Sequence, residues 1–454
     1  MRVLLVNPEQ EPDIDNNLPR FVDQSRGSLP PLGLLYVAAT TKQAGHDVKV
    51  ADCSIGSNVV DDIKSFNPDI VGITATTFTL LKALQIARVA HQEARRTVLG
   101  GVHASIYPLE SLTLPEIDYT VSGEGENAFP ALLNKISLGM TRGKHNETAD
   151  GYICKLDNLP FPDRTMTDWR KYRSAVDRSG YVTTILTSRG CPFHCIFCHR
   201  PHLGKMFRPR SPENVIRELE QIRDLGIREV TFYDDTFAVD RARVVRICEL
   251  ILKNKLNLRW DMRTRVDLVD YELLNLLRKA GCKQIRYGVE CSDNTTLRKI
   301  GKGITVEQAK QAVEWTKKAG IEMLTYFILG SPGETAEHWE RTIEFSKQLN
   351  PDYCYFAILT PYPSTPLYKT WMQGIGETDG RNRTDHWLDF ALKPREIETP
   401  YYQDFVDRKV LEGYLRRAYR EFYLRPSYLM HKVMKVRSIG ELVRGAKAVV
   451  RIRK

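Results

Sequence analysis

Apolar residues recur along this chain in two successive series, each alternating a short strand-like run with a longer helix-like one. The first series begins with RVLLVN (2–7), a continuous apolar run closed by Asn-Pro. LGLLYVAATTKQAG (32–45) follows with helical spacing and stops at Gly45, and HDVKVAD (46–52) alternates like a strand. DIVGITA (69–75) predicts a buried strand and LLKALQIARVAHQEA (80–94) a long helix; TVLGG (97–101) and IDYTVSG (117–123) predict two more strands, each closed by glycine. Residues 139–180 are polar and turn-rich, as in NLPFPDRT (158–165), and read as a linker. The second series has six strand runs: 181–188, 228–234, 258–263, 283–289, 321–329 and 353–359. Helix patterns separate them, such as SPENVIRELEQIRDLG (211–226), with Ser211 placed as N-cap and Pro212 at the first helical position.

Strands that alternate with helices pair in parallel. The first series therefore predicts a doubly wound, Rossmann-like α/β domain over 1–140, followed by a linker over 141–180. Six βα units without a second half predict a partial (β/α)6 barrel of the TIM type over 181–374. Residues 375–454 form a mostly helical C-terminal extension. In both architectures ligands gather outside the C-terminal strand ends. In the first domain those ends carry Thr74, Thr76, Gly100, Gly101, His103 and the run Gly123, Glu124, Gly125, Glu126.

Composition changes this picture little. Of 454 residues, 42% are hydrophobic and 27% charged, ordinary for a globular chain and unlike a disordered or fibrous one. No run of 18 apolar residues is present and the N-terminus lacks a secretory pattern, so a cytoplasmic protein is expected. Charge adds one feature. Between Arg425 and Lys454 there are nine basic side chains against one acid, Glu441, which accounts for +8 of the formal +10. Such a tail reads as a solvated helix or as a peripheral contact with an anionic inner membrane surface. Tyr and Phe residues interleaved with arginines over 414–428 could stack on nucleic-acid bases. At helical spacing they are expected instead to pack a helix onto the body, so nucleic acid is not expected as a partner.

Three of the nine cysteines lie within eight residues, as Cys191-x3-Cys195-x2-Cys198, at the end of the first barrel strand. Without a secretion pattern this triplet reads as a metal site rather than a disulfide framework. Thiolates select iron–sulfur clusters, zinc or copper. Spacing alone leaves open a structural zinc knuckle completed by His194, His199 or His202. A cluster with three protein thiolates would instead leave one iron open to a second molecule.

The triplet, with Phe197 just before its third cysteine, resembles the radical S-adenosylmethionine (SAM) superfamily. The chain as a whole is similar to the branch that carries a cobalamin-binding domain. The matching stretches are PPLGLLYVAATTKQAGHDVKVAD (30–52), GGVHAS (100–105), GEGE (123–126), TSRGCPFHCIFC (187–198), YDDTF (233–237), YGVECSD (287–293), YFILGSPGET (326–335) and RRAYREFYLRP (416–426). The resemblance implies a [4Fe–4S] cluster on Cys191, Cys195 and Cys198. SAM would be chelated by the fourth iron and cleaved to a 5′-deoxyadenosyl radical, with electrons from a donor such as flavodoxin or ferredoxin. It places Phe197, Asp234, Asp235, Glu290, Gly330, Pro332 and Gly333 around SAM. Either aspartate could hold the sulfonium compound's amino group, Glu290 the ribose hydroxyls, and the glycines a close approach to adenine. Each also has a plainer reading, as a helix cap, an ion pair or a turn residue.

For the first domain the resemblance implies cobalamin on the shelf formed by Thr74, Thr76, Gly100, Gly101, His103, Gly123, Glu124, Gly125 and Glu126. The Asp-x-His-x-x-Gly signature that supplies a histidine below cobalt elsewhere is absent, so no cobalt ligand from that motif is expected. The implied activity is methylation, or cyclisation or rearrangement, at an unactivated carbon of a small-molecule, lipid or tetrapyrrole substrate. Two rivals stand beside it. One is a methylthiotransferase acting on tRNA or a protein, which would normally carry three more clustered cysteines, whereas residues 1–150 hold only Cys53. The other is a non-catalytic zinc-binding protein with a basic, nucleic-acid-contacting tail.

Overall fold

The computed structural model describes residues 1–10, 28–141, 143–173, 180–199, 204–379, 385–403 and 406–435, with 449, 450 and 452. Two six-stranded parallel sheets organise the chain. The first contains β1 (Arg2–Asn7), β2 (Asp47–Asp52), β3 (Ile70–Thr74), β4 (Arg96–Gly100), β5 (Tyr119–Ser122) and β6 (His145–Thr148), in the order β2-β1-β3-β4-β5-β6. Its inner strands are mostly apolar because helices cover both faces. The helix Leu32–Gln43 buries eight of its twelve residues, so it shows no one-sided pattern. The sheet differs from expectation at one edge. His145–Thr148, assigned from sequence to the linker, pairs with β5 through Tyr119–His145 and Ser122–Thr148. Its sequence HNET is too polar to read as a strand, as befits an edge position. The helix Val59–Phe66, capped by Asn58, was likewise not visible as a separate pattern.

The second sheet contains β7 (Val182–Ile185), β10 (Glu229–Phe232), β11 (Arg259–Thr264), β12 (Cys282–Glu290), β13 (Glu322–Leu329) and β14 (Tyr353–Ile358), each paired in parallel with its successor. Between β7 and β10 lies a short antiparallel pair, β8 (Ser188–Arg189) with β9 (Arg208–Pro209), which frames the cysteine loop. Ser211 does cap the helix Pro212–Asp224, accepting from the Asn214 N–H at 3.2 Å. Thr305 and Gln308 form a reciprocal capping box on Val306–Lys318.

A partial barrel leaves β14 as an open edge, which would invite pairing with another strand. The C-terminal helix Arg408–Tyr423 covers it. Tyr419 Oη donates to the Phe356 carbonyl at 2.9 Å and accepts its N–H at 3.0 Å; Tyr423 Oη does the same for Cys354 at 2.7 and 3.0 Å. Two phenols thus satisfy the backbone groups a seventh strand would have taken. This is the packing outcome expected for the aromatic–arginine stretch, with Leu411, Leu415, Ala418 and Phe422 buried beside them. Most of the basic tail, 436–448, lies outside the described residues.

Candidate functional site

The cysteine triplet occupies the loop that leaves the C-terminal end of β8. Cys191 is buried, Cys195 half-buried and Cys198 exposed, and none is in a disulfide. Among the described residues no three His, Cys, Asp or Glu side chains are gathered as closely as a metal ion requires. The loop itself is anchored on two sides. The Ile196 N–H donates to the Ile300 carbonyl at 3.0 Å, and the positive-φ Gly301 lies so near the His194 carbonyl that a Cβ there would sit 2.6 Å from it. On the other side Cys191 Sγ lies 3.4 Å from Thr236 Oγ1. Burial pushes the Cys195 thiol up, opposed by the charges of Lys302 and Arg265. His199 Nδ1 is engaged with the Pro363 carbonyl at 2.8 Å, and His194 is exposed; His202 lies outside the described residues.

The two aspartates that end β10 have separate fates. Asp234 is fully buried and accepts from Thr187 N–H at 2.7 Å, Thr187 Oγ1 at 2.6 Å and Ser188 Oγ at 2.5 Å. Both its oxygens bond to the root of the cysteine loop. Asp235 is exposed next to it. Glu290 takes a left-handed conformation at φ 73° at the bulged end of β12 and pairs with buried Lys302 at 2.6 Å. Burial opposes the Lys302 charge, but Glu290 and Cys195 outweigh it and hold the pKa up. Gly330 and Gly333 have φ of 89° and 79°, in the left-handed region, and Pro332 is half-buried between them. Behind this turn Glu334 accepts from the N–H groups of Gly330 and Ser331 at 3.0 and 2.8 Å and from the Trp339 indole at 3.1 Å. Phe197 packs against the barrel core.

At the ends of β3 and β4 the chain forms a bare shelf. Gly100 has nothing within 4 Å of where a Cβ would stand, while Gly101, at φ 90°, has Thr74 Oγ1 at 2.6 Å and the Ala75 carbonyl at 2.8 Å. A side chain at Gly101 would collide with β3; one at Gly100 would fill the open space. Thr74 is half-buried and Thr76 exposed, its N–H bonded to Thr79 Oγ1 at 2.9 Å. Gly123 is exposed at φ 84°, and Gly125 faces Val37, 3.0 Å from a would-be Cβ. His103 lies beneath the shelf: it is 1% exposed, meets Thr77 Oγ1 at 3.2 Å through Nδ1, and burial lowers its pKa to about 4. It is a neutral core residue, not part of the shelf surface.

Glu124 and Glu126 turn the other way. Their side chains are buried against the barrel rather than turned to the shelf. Glu124 Oε1 accepts from Arg189 at 2.9 Å and Glu124 from both Arg208 nitrogens at 2.9 and 3.0 Å, while Glu126 accepts from Arg189 at 2.5 Å. Burial opposes the Glu124 charge, and Arg208, Arg189 and the Ile153 N–H overcome it, holding the carboxyl below its usual range. Arg189 stands two residues before Cys191. The C-terminal edges of the two sheets are therefore latched directly to each other, cysteine loop against GEGE turn. Sequence reasoning missed Arg189, Arg208, Arg265 and Lys302. The only signal was their proximity to named motifs, since a lone arginine in a loop reads as a solvated charge.

Comparison with known proteins now bears on this geometry. The profile of the radical SAM superfamily matches residues 185–346, and that of the B12 binding domain matches residues 21–133. An uncharacterized methyltransferase of Pyrococcus horikoshii is 35% identical over 95% of both chains. The chain belongs to the cobalamin-dependent radical SAM enzymes. Another member, the anaerobic magnesium-protoporphyrin IX monomethyl ester cyclase of Rubrivivax gelatinosus, is 30% identical over 96% of this chain and 80% of its own. Among solved structures, the cobalamin-dependent radical SAM enzyme OxsB with aqua-cobalamin bound superposes with a TM-score of 0.71 at 17% identity, covering 98% of this chain and 70% of that one, a likeness of fold.

This radical SAM enzyme uses a [4Fe–4S] cluster, SAM and cobalamin, and its own residues fit them. Three thiols, none in a disulfide, share one anchored loop, with Lys302 and Arg265 nearby to offset thiolate charge. Gly100 leaves open space where a flat macrocycle needs room, and His103 is held in the core. The zinc-knuckle and methylthiotransferase readings are not favoured by these relatives. Among the described residues no helix is long and apolar enough to cross a membrane.

Proposed function

We propose that this enzyme transfers a methyl group from SAM to an unactivated carbon of a small organic substrate. The observation that carries the reading is the latch between the two sheets: the edge bearing the cysteines and the edge bearing the glycine shelf meet at Arg189, Glu124 and Glu126. Cys191, Cys195 and Cys198 would hold the cluster through their thiolates. Asp235, Glu290 and the backbone of Gly330–Gly333 would receive SAM, and Thr74, Thr76, Gly100 and Gly101 the corrinoid. When bound, these groups supply a 5′-deoxyadenosyl radical and a transferable methyl group. The remaining work falls to the chain itself. Asp234 pins Thr187 and Ser188 and so orients the loop; Lys302 keeps its proton beside Cys195.

The 35% identical relative named as a methyltransferase supports methyl transfer, and the 30% identical cyclase supports a second reading, ring formation on a tetrapyrrole, in which no methyl group would move. Electrons would come from a small carrier such as flavodoxin or ferredoxin, and the basic tail would give peripheral contact with a membrane surface in the cytoplasm. The test is anaerobic reconstitution with iron, sulfide and hydroxocobalamin, then incubation with methyl-deuterated SAM, a reductant and a metabolite extract. Methyl transfer yields an extract compound carrying the labelled methyl, absent with Cys195→Ala. Formation of 5′-deoxyadenosine with no labelled product, and a compound losing hydrogen instead, would replace it with the cyclase reading.

A further inference from the structure

The lumen face of the second sheet carries partly exposed polar residues. Along the second sheet the residues facing the helices are shut off from solvent: Phe232, Met262, Tyr287, Met323, Phe327 and Phe356 are all at 0% exposure. Their neighbours on the opposite face, Arg263, Arg286, Tyr326 and Tyr355, are partly exposed although they lie within paired strands. A closed eight-stranded barrel fills this space with layers of branched side chains. Here it is lined by cations and phenol rings.

Strand register sorts these residues into two layers. Arg263 is opposite Arg286, and Arg286 opposite Leu324. One layer nearer the cysteine loop, Gly288 is opposite Tyr326 and Tyr326 opposite Tyr355, whose rings meet edge to face at 5.4 Å. The space beyond Gly288 is taken by the Glu290–Lys302 pair, which stands beside Cys195. Alternation places the arginine layer roughly 7 Å deeper than the tyrosine layer.

The two arginines are unequally paired. Among the described residues Asp261 lies 2.9 Å from Arg286 Nη2, and its other oxygen accepts from Thr231 at 2.8 Å. The Arg263 guanidinium lies 4.3 Å over the Tyr233 ring. Among the described residues no carboxylate lies within ion-pair distance of Arg263. The Nε atoms of both Arg263 and Arg286 are buried with no hydrogen-bond partner. Buried donors left unpaired are costly, and arginine forks match carboxylate and phosphate oxygens.

We infer that the substrate of this enzyme carries an anionic group, carboxylate or phosphate, which Arg263 and Arg286 hold in the lumen while its apolar body rests against Tyr326 and Tyr355. This rests on the proposed function and names the substrate class for the same site. The methionine carboxylate of SAM has the same chemistry, so the test must separate the two sources.

The probe is radiolabelled benzoate, compared with neutral benzamide, in equilibrium dialysis against the anaerobically reconstituted full chain. Benzoate is expected to bind, benzamide to bind at least about tenfold more weakly, and inorganic phosphate to displace the benzoate. Arg263→Gln should weaken benzoate by about tenfold or more, and Arg263→Lys by less. If Arg263→Gln fails to fold by circular dichroism, the phosphate competition on the wild-type chain decides. Equal retention of benzoate and benzamide, or an unaltered benzoate affinity in Arg263→Gln, overturns the inference. So does a loss of SAM retention in that variant with benzoate unchanged, since the guanidinium would then serve the SAM carboxylate. Iron content and 5′-deoxyadenosine yield of the wild-type preparation report on the proposed function separately. Their absence with benzoate binding intact would sink that reading and leave the anion site standing.

Discussion

Arg189→Met is the sharpest probe of how the two halves are joined. In the folded chain the Arg189 guanidinium reaches Glu124 at 2.9 Å and Glu126 at 2.5 Å, with all three side chains at most 6% exposed. It also lies 5.3 Å from the Tyr36 ring. Glu124 keeps Arg208 when Arg189 is lost, but among the described residues no other cation lies within ion-pair distance of Glu126. Removing one partner of a buried pair costs about 3–5 kcal/mol, because a desolvated charge is left behind. With about 2.1 cal/mol/K of unfolding entropy per residue, a chain of 454 residues loses stability at about 1 kcal/mol per degree near its midpoint. Arg189→Met is therefore expected to lower Tm by about 3–5 °C in anaerobic scanning calorimetry. Arg189→Met combined with Glu126→Met removes both charges and leaves Glu124–Arg208 in place, so most of that loss should return. A fall of less than about 1 °C for the single variant, or a double variant no more stable than the single, would refute the latch as a source of stability.

Asp234→Ala removes the acceptor for three donors at the root of the cysteine loop, so it should cost about 3 kcal/mol and lower the iron retained per chain after reconstitution and desalting. Burial raises the Glu334 carboxyl from 4.5 to about 7, against three N–H donors that oppose it. A folded-state value above the unfolded one gives stability that is full below about pH 4.5 and is lost as pH rises towards about 7, so Glu334→Gln should gain on the wild type by up to about 3 kcal/mol over that interval in thermal melts. A constant difference across that range would show that the carboxyl is not the titrating group. His103→Gln should leave the electron paramagnetic resonance spectrum of bound cob(II)alamin unchanged while lowering Tm, since the imidazole lies in the core beside Thr77; a change in the cobalt hyperfine pattern would contradict that placement.

Much of this fold is readable in the chain because parallel strands covered on both faces leave unbroken apolar runs. RVLLVN, DIVGITA and IEMLTYFIL each became a strand within one residue of its expected limits. His145–Thr148 escaped because an edge strand needs no apolar face, and its polar sequence looks like a turn. The glycines and cysteines of the site were legible for a local reason: backbone conformation and thiol chemistry belong to one residue at a time. The fate of Asp234, Glu124, Glu126 and His103 was not. Each sits at a strand end where a ligand is expected, and whether a carboxylate there faces solvent or an arginine depends on a partner far away in sequence. Arg189 is 65 residues from Glu124, and Asp234 is 47 from Thr187. Periodicity carries no information at that range.

The same long-range contacts explain why these motif residues gather where the two sheets meet. A parallel sheet exposes its useful surface at one end, where the strands stop and the loops begin. Two such sheets in one chain can cooperate only if those ends face each other, and a polar surface large enough to bind cofactors is a poor hydrophobic interface. The joint is accordingly made from charges and hydroxyls. Glu124 and Glu126 meet Arg189 and Arg208, and Tyr172 donates to Asp52 at 2.7 Å where Asp52 also receives Asn7 at 2.8 Å. On the far side the C-terminal helix His386–Leu392 closes over the first domain, with Phe78 edge-on to Trp387 at 5.9 Å and to Phe390 at 5.5 Å. Tyr107 and Tyr368 both donate to Asp385, at 2.9 and 2.7 Å. A polar latch on one flank and an aromatic strap on the other fix the distance between the glycine shelf and the cysteine loop. Loosening either flank should therefore uncouple radical formation from substrate conversion before it abolishes either cofactor's binding. The ratio of 5′-deoxyadenosine to product in Arg189→Met and in Phe78→Ala would reveal this, and a ratio equal to the wild type in both would refute it.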